Sequence, residues 1–181
     1  CIEGYVVSDP TYGNAGPNTP ITSMRIDYTG TKRIVYLESL DGRYGFMVEF
    51  RAEKDNILKR YDKVRLNLNG CYFGKEGSSN VADKDPIRYY INEITAANIL
   101  SVESGSDSTI PHKEKFFHEL TDEDVYTYVT LKDCEFPIKK GPLTPLNEGY
   151  TGGGVATIFT ANRISQYPLL VRDSHGNSFY T

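Results

Sequence analysis

Apolar and polar residues alternate in short runs along much of the chain, and the clearest runs flank a single turn. Residues 33–39 carry the apolar run Ile34-Val35-Tyr36-Leu37 and residues 44–50 place apolar side chains at every second position, with Leu40-Asp41-Gly42-Arg43 between them. An Asp-Gly pair between two apolar runs predicts an antiparallel hairpin turning at Asp41-Gly42. Tyr44, Phe46, Val48 and Phe50 would then share one face. Residues 62–70 repeat the pattern, with Val64, Leu66 and Leu68 pointing one way and Lys63, Arg65, Asn67 and Asn69 the other. Residues 2–9, 87–94 and 98–103 predict further strands, and 21–28 a weaker one. Residues 11–20 and 74–85 read as loops, and 54–60 as a charged stretch with room for a helical turn. Five or six short strands before residue 104 is the cadence of a small barrel.

The stretch 105–109 is rich in Gly and Ser and marks the expected domain boundary, dividing the chain into 1–104 and 105–181. Beyond it, residues 113–126 are the one helix candidate, with Thr121 and Asp124 spaced as a capping box. Residues 129–136 and 168–172 predict strands. Asp173-Ser174-His175-Gly176 predicts a turn into a last strand at Ser178. The order strand, long Gly/Pro loop, hairpin thus occurs twice, and the second copy stops as its third strand begins. An unpaired strand edge is a liability, so the expectation is that the chain continues past Thr181. The predicted fold class is all-β with a minor helix: tandem barrels, the second incomplete.

Composition agrees with strands and turns: 14 Tyr, 8 Phe, 16 Gly and 9 Pro among 181 residues. The formal net charge of −4 argues against a nucleic-acid binder, because a phosphate backbone rewards an excess of Lys and Arg. No apolar run reaches the roughly 18 residues of a membrane helix. The three cysteines match no zinc spacing. Cys71 and Cys134 sit in strand-like runs and read as small buried hydrophobes, with a disulfide between them the lesser option. Cys1 would carry the lipid in a mature bacterial lipoprotein, but a strand follows it at once, which favours an ordinary strand residue.

Several of these runs resemble a known family. Ile2-Glu3-Gly4-Tyr5-Val6-Val7-Ser8-Asp9 with Gly13-Asn14, then Tyr36-Leu37-Glu38-Ser39 and Asp41-Gly42, then residues 63–70, are similar to the OB-like domain of unknown function of Bacteroides-type surface lipoproteins. Residues 128–136 and Leu170-Val171-Arg172-Asp173 continue the likeness. The resemblance implies OB-like barrels, an upstream lipoprotein signal and a place on the extracellular face of the outer membrane. It brings no catalytic residues. The C-terminal part departs from the pattern, since the closing strands of a second barrel are missing.

The residues themselves offer little catalysis. His112, His118 and His175 are the three histidines; the spacing of the first two does not put them on one helical face, and His175 lies at a hairpin tip, so all three read as solvent-facing. No nucleophile elbow is present. Gly152-Gly153-Gly154 lacks the Gly-Lys-Ser/Thr of a phosphate loop and reads as an ordinary loop. The acidic turns at 83–85 and 173–177 lack EF-hand spacing, with bound calcium the minor alternative. Arg51, Lys54, Lys59, Arg60, Lys63 and Arg65 form a basic cluster diluted by Glu53, Asp55 and Asp62. Tyr5, Tyr12, Tyr89, Tyr90 and Tyr150 could stack on sugar rings or bases. The weak binding candidates are therefore Tyr5, Tyr12, Tyr89, Tyr90, Arg51, Arg60, Lys63 and Arg65, with no catalytic residue, metal or cofactor expected. The expected function is a noncatalytic binding or scaffold module for glycan or protein, held at the membrane only by an N-terminal lipid. The alternative is a nucleic-acid- or substrate-binding domain appended to an extracellular nuclease or other hydrolase.

Overall fold

The computed structural model describes residues 1–10, 21–22, 25–26, 31–76, 88–136 and 170–180. The chain falls into two compact units. The first comprises Cys1–Asn18, Tyr28–Glu114 and Leu120–Thr130; the second comprises Thr19–Asp27, Lys115–Glu119 and Leu131–Thr181. Both are built from strands. Among the described residues every helical segment is a single three-residue 3-10 turn, and none is long and apolar enough to cross a membrane.

In chain order the first unit contributes β1 (Ile2–Val6), then β4 (Ile34–Ser39) and β5 (Gly45–Phe50). Between β1 and β4 come β2 (Ile21–Thr22) and β3 (Arg25–Ile26), a small antiparallel pair of the second unit. The β4–β5 hairpin turns where the Asp-Gly pair predicts, with Val35 opposite Val48 and Leu37 opposite Phe46. Gly42 takes a φ of 71°, a left-handed conformation that glycine adopts without penalty. Ser39 Oγ and the Arg43 N–H both donate to Asp41 Oδ1, at 2.6 and 3.2 Å. Those bonds hold the Asp41 carboxyl below its ordinary pKa.

β6 (Lys63–Leu66), β7 (Tyr72–Glu76), β8 (Arg88–Ile94) and β9 (Ile99–Glu103) complete a mixed sheet in the order β7-β8-β5-β4-β1-β6-β9. β5 and β8 run parallel; the other pairs described are antiparallel. Hydrogen bonding leaves β7 and β9 as edges, so the expected closed barrel is observed as an open seven-stranded ladder. β8 and β9 nevertheless follow each other in the chain, parted only by the 3-10 turn Ala96–Asn98. Thr95 N–H and Oγ1 donate to Asn98 Oδ1 at 2.9 and 2.7 Å, which tightens that turn.

The core lies on one face of this sheet: Val6, Val35, Leu37, Val48, Phe50, Leu58, Val64, Leu66, Ile91 and Ile94 are buried together. Period-2 alternation puts them there. Val64 and Leu66 are buried while Arg65 between them is exposed, as residues 62–70 predict. The strand ends earlier than expected because Asn67 accepts the Asn69 N–H at 3.1 Å and Gly70 turns the chain at a φ of 79°.

Three expectations are corrected. Residues 74–76, read as loop, belong to β7, whose partner β8 lies beyond a long intervening stretch. Residues 113–126, read as helix, form β10 (Lys113–Lys115), paired with β11 (Val129–Leu131), and two 3-10 turns, Phe117–Glu119 and Asp122–Asp124. The segment KEKFFHELTDEDVY has no apolar stripe at helical spacing, and the Thr121–Asp124 box starts a turn midway through it. That box is made: the Thr121 N–H donates to Asp124 Oδ2 at 2.9 Å. The stretch 105–109, read as a boundary, lies inside the first unit, where Gly105 fits against the Tyr61 carbonyl with no space for a Cβ.

The second unit's sheet has the order β12 (Cys134–Glu135), β13 (Leu170–Asp173), β14 (Ser178–Tyr180). The expected strand 129–136 is broken between β11 and β12, where Asp133 takes a φ of 52°. β13 and β14 form the expected hairpin, with Gly176 at a φ of 85° in its turn. The three cysteines are free thiols; Cys71 and Cys134 are half-buried and Cys1 is exposed. Burial pushes the Cys71 and Cys134 thiols above the ordinary value.

Candidate functional site

The inner face of the sheet does not end where the core ends. Val48 lies beside Ile91 in the parallel β5–β8 pair. Two residues earlier on each strand, the same face carries Phe46 and Tyr89. Phe73 of β7 lies opposite Ile91 and diagonal to Tyr89 across the antiparallel pair, within reach for aromatic side chains. Phe73 and Tyr89 stack with centroids 5.9 Å apart and planes 16° from parallel, and Phe46 meets Phe73 at 6.3 Å. Phe73 is 61 % exposed, Tyr44 47 % and Tyr89 41 %. These aromatic faces are open to solvent.

Together with Asp122, Glu123 and Val125 they line a groove of about 460 Å³. The segment bearing the carboxylates is fixed from below. Lys113 Nζ bonds Asp124 Oδ1 at 3.1 Å, and the Tyr128 N–H donates to Glu38 Oε2. Tyr126 stacks on Tyr36 with centroids 4.6 Å apart, and burial pushes the Tyr36 hydroxyl up to about 12. Gly45 lets this segment approach: a Cβ there would strike the backbone of Val125 and Tyr126. Gly45→Ala is therefore expected to cost about 1–3 kcal/mol by overpacking, read as a lower chemical-denaturation midpoint. An unchanged midpoint would mean the segment does not press on β5.

Both acidic residues lining the groove are acceptors of hydrogen bonds and repel phosphate. Arg43 stands at the edge of the groove, its guanidinium 5.3 Å from the centre of the Tyr44 ring. Aromatic platforms beside carboxylates suit a ligand with apolar ring faces and donor groups at its edges.

Of the binding candidates read from sequence that lie among the described residues, Tyr89 alone lines this groove. Tyr90 is half-buried, with its ring against Gly74, and Tyr5 is half-buried on β1. Tyr12, like Tyr150 and the Gly152-Gly153-Gly154 run, lies outside the described residues. The basic cluster is dispersed among partners. Arg51 pairs with Glu93 at 2.8 Å and Lys63 with Glu3 at 3.4 Å. Arg60 lies over the rings of Tyr61 and Tyr128, and Arg65 is exposed on β6. Tyr44, Phe46, Phe73, Asp122 and Glu123 were not singled out by sequence as binding residues; for Tyr44 and Phe46 the alternation of residues 44–50 was the available signal. Comparison of the chain with family models, curated proteins and solved structures finds no match in any of the three.

Proposed function

We propose that this chain is a noncatalytic binding module whose aromatic groove takes a neutral oligosaccharide. The observation that carries the reading is the stacked, solvent-facing Phe73–Tyr89 pair beside the carboxylates of Asp122 and Glu123. A sugar presents an apolar C–H face to an aromatic ring and hydroxyl donors to a carboxylate. A phosphate-bearing strand would meet two negative charges instead.

The OB-like reading belongs to this proposal. Its support is topological: β1 lies between β4 and β6, β5 runs parallel to β8, and the single run 88–103 pairs with β5 at one end and β6 at the other. A five-stranded, partly open barrel needs such a run, and OB folds bind oligosaccharides and oligonucleotides on the face of their second and third strands. Here those strands are β4 and β5, and β5 carries Phe46 into the groove. Tandem OB-like units, export as a lipoprotein and a cell-surface location rest on the family resemblance and are proposed with it.

A glycan array followed by titration tests the function. Phe73→Ala and Tyr89→Ala are each expected to weaken the selected oligosaccharide about tenfold, roughly 1.4 kcal/mol of lost stacking. Tyr72→Ala, at a position 70 % exposed and outside the groove lining, should leave it unchanged. Single-stranded DNA should bind no tighter than a Kd of about 10⁻⁴ M at physiological salt. Sub-micromolar DNA binding would overturn the glycan reading in favour of a domain serving a nuclease. Silence on the array would also overturn it.

A further inference from the structure

The second unit brings together three side chains from two segments that lie far apart in the chain. His118 projects from the turn Phe117–Glu119, and Asp173 and His175 from the β13–β14 hairpin. One ligand atom from each of the three lies within 4.8 Å of the others. We propose that His118, Asp173 and His175 bind a first-row transition-metal ion of the zinc class.

Each ligand is held by its surroundings. The Phe116 N–H donates to Glu119 Oε2 at 2.8 Å and the Glu119 N–H returns to the Phe116 carbonyl at 3.0 Å, closing the turn that presents His118. The His118 ring lies parallel to Phe116, 5.6 Å centre to centre, and His175 meets both rings edge-on at 5.0 and 4.9 Å. Asp173 is only 5 % exposed. Its Oδ1 accepts the His175 and Asn177 N–H groups at 3.0 and 2.8 Å, and its Oδ2 accepts the Asn177 side-chain amide at 2.8 Å. A carboxylate has about four acceptor positions. The turn occupies three and leaves one on Oδ2. Such donors fix ligating carboxylates in metal sites generally, and they also hold the Asp173 carboxyl in its charged form.

The donor set selects the metal class. Two imidazoles with one carboxylate suit zinc, cobalt, nickel or copper, whereas calcium and magnesium take oxygen ligands. Around a tetrahedral zinc with bonds near 2.1 Å, ligand atoms stand about 3.4 Å apart. Swinging the two exposed imidazoles inward by about an ångström closes that difference, and the fixed carboxylate need not move. Three protein ligands leave the fourth position to water. Lys132 Nζ, 4.9 Å from the centre of the Phe116 ring, places a positive charge nearby that weakens binding. The site is therefore expected to be exchangeable.

The test uses the full chain, stripped with chelator and titrated with zinc chloride by calorimetry, with the histidine ring protons followed by NMR. One equivalent should bind and shift the rings of His118 and His175, leaving those of His112 unmoved. His118→Gln and His175→Gln, at exposed positions where folding is not at stake, should each weaken binding tenfold or more. His112→Gln should not change it. Cobalt should bind competitively, and calcium should not displace it. Zinc binding that survives the double variant His118→Gln/His175→Gln, or that is lost in His112→Gln, would overturn the assignment. So would no binding at all.

Discussion

Phe50→Ala is expected to destabilise the first unit by about 3–5 kcal/mol, the usual cost of emptying a buried aromatic site. Phe50 is fully buried and heads the inaccessible core side chains by volume. It stands where the sheet changes character, beside Ile94 in the parallel β5–β8 pair, just past a register shift after Val48. The Arg51 N–H donates to the Ile94 carbonyl at 2.7 Å, so backbone and side chain secure the same junction. Most of the buried core residues around it are strand residues held by their own ladders, which limits how far the cavity can collapse. Trp is absent, so unfolding is best followed by tyrosine fluorescence and circular dichroism in guanidinium. Tyr72→Ala supplies the contrast and should stay within about 0.5 kcal/mol. A loss under about 1 kcal/mol for Phe50→Ala would mean that β5 and β8 do not close over a shared core.

What sequence reveals here is what local chemistry decides. The β4–β5 hairpin is legible because Asp41-Gly42 and the alternation around it act within a few residues. The β13–β14 hairpin is legible for the same reason, with Asp173 and Gly176 as its turn residues. β7 is not legible, because Tyr72-Phe73-Gly74-Lys75-Glu76 becomes a strand only by pairing with distant β8. The helix expected over 113–126 fails through overweighting of a capping box, which here ends in a single 3-10 turn. The groove is legible by half. Alternation puts Tyr44 and Phe46 on the face of Val48 and Phe50, but no local pattern says that the core stops short of them. Asp122 and Glu123 read as part of the expected helix until the segment is seen against Gly45. His118 and His175 are solvent-facing, as their sequence positions suggest, but their meeting is made by the fold, through a turn and a hairpin that no spacing connects.

Glu38 shows how the fold, the groove and pH are tied together, and it carries the second large expected effect. Its position on β4 is fully buried, yet its Oε2 takes the backbone N–H of Tyr128 from the segment that bears Asp122 and Glu123. Glu38→Ala leaves that N–H without a partner and removes packed methylenes, an expected loss of roughly 2–4 kcal/mol. It should also weaken any groove ligand by loosening the wall. Glu38→Gln keeps an acceptor for the N–H and should escape that loss. The two variants separate hydrogen bonding from charge. Burial raises the Glu38 pKa, against the lowering effects of the Tyr128 N–H, Lys113 and His112, while Asp41 adds to the rise. A raised carboxyl pKa in the folded state means that ionisation costs more there than in the unfolded chain. Its contribution to stability is complete below the unfolded value and is lost as pH rises through the folded value. The wild-type protein should therefore lose stability relative to Glu38→Gln between the ordinary glutamate range and the raised folded value. Titrating groups that do not interact with Glu38 are common to both proteins and cancel in the difference. Denaturation midpoints measured in parallel from acid to neutral pH should converge at the acid end and part as pH rises. Two parallel curves would show that the charge on Glu38 is not desolvated, and that Glu38 holds the groove wall through its hydrogen bond alone.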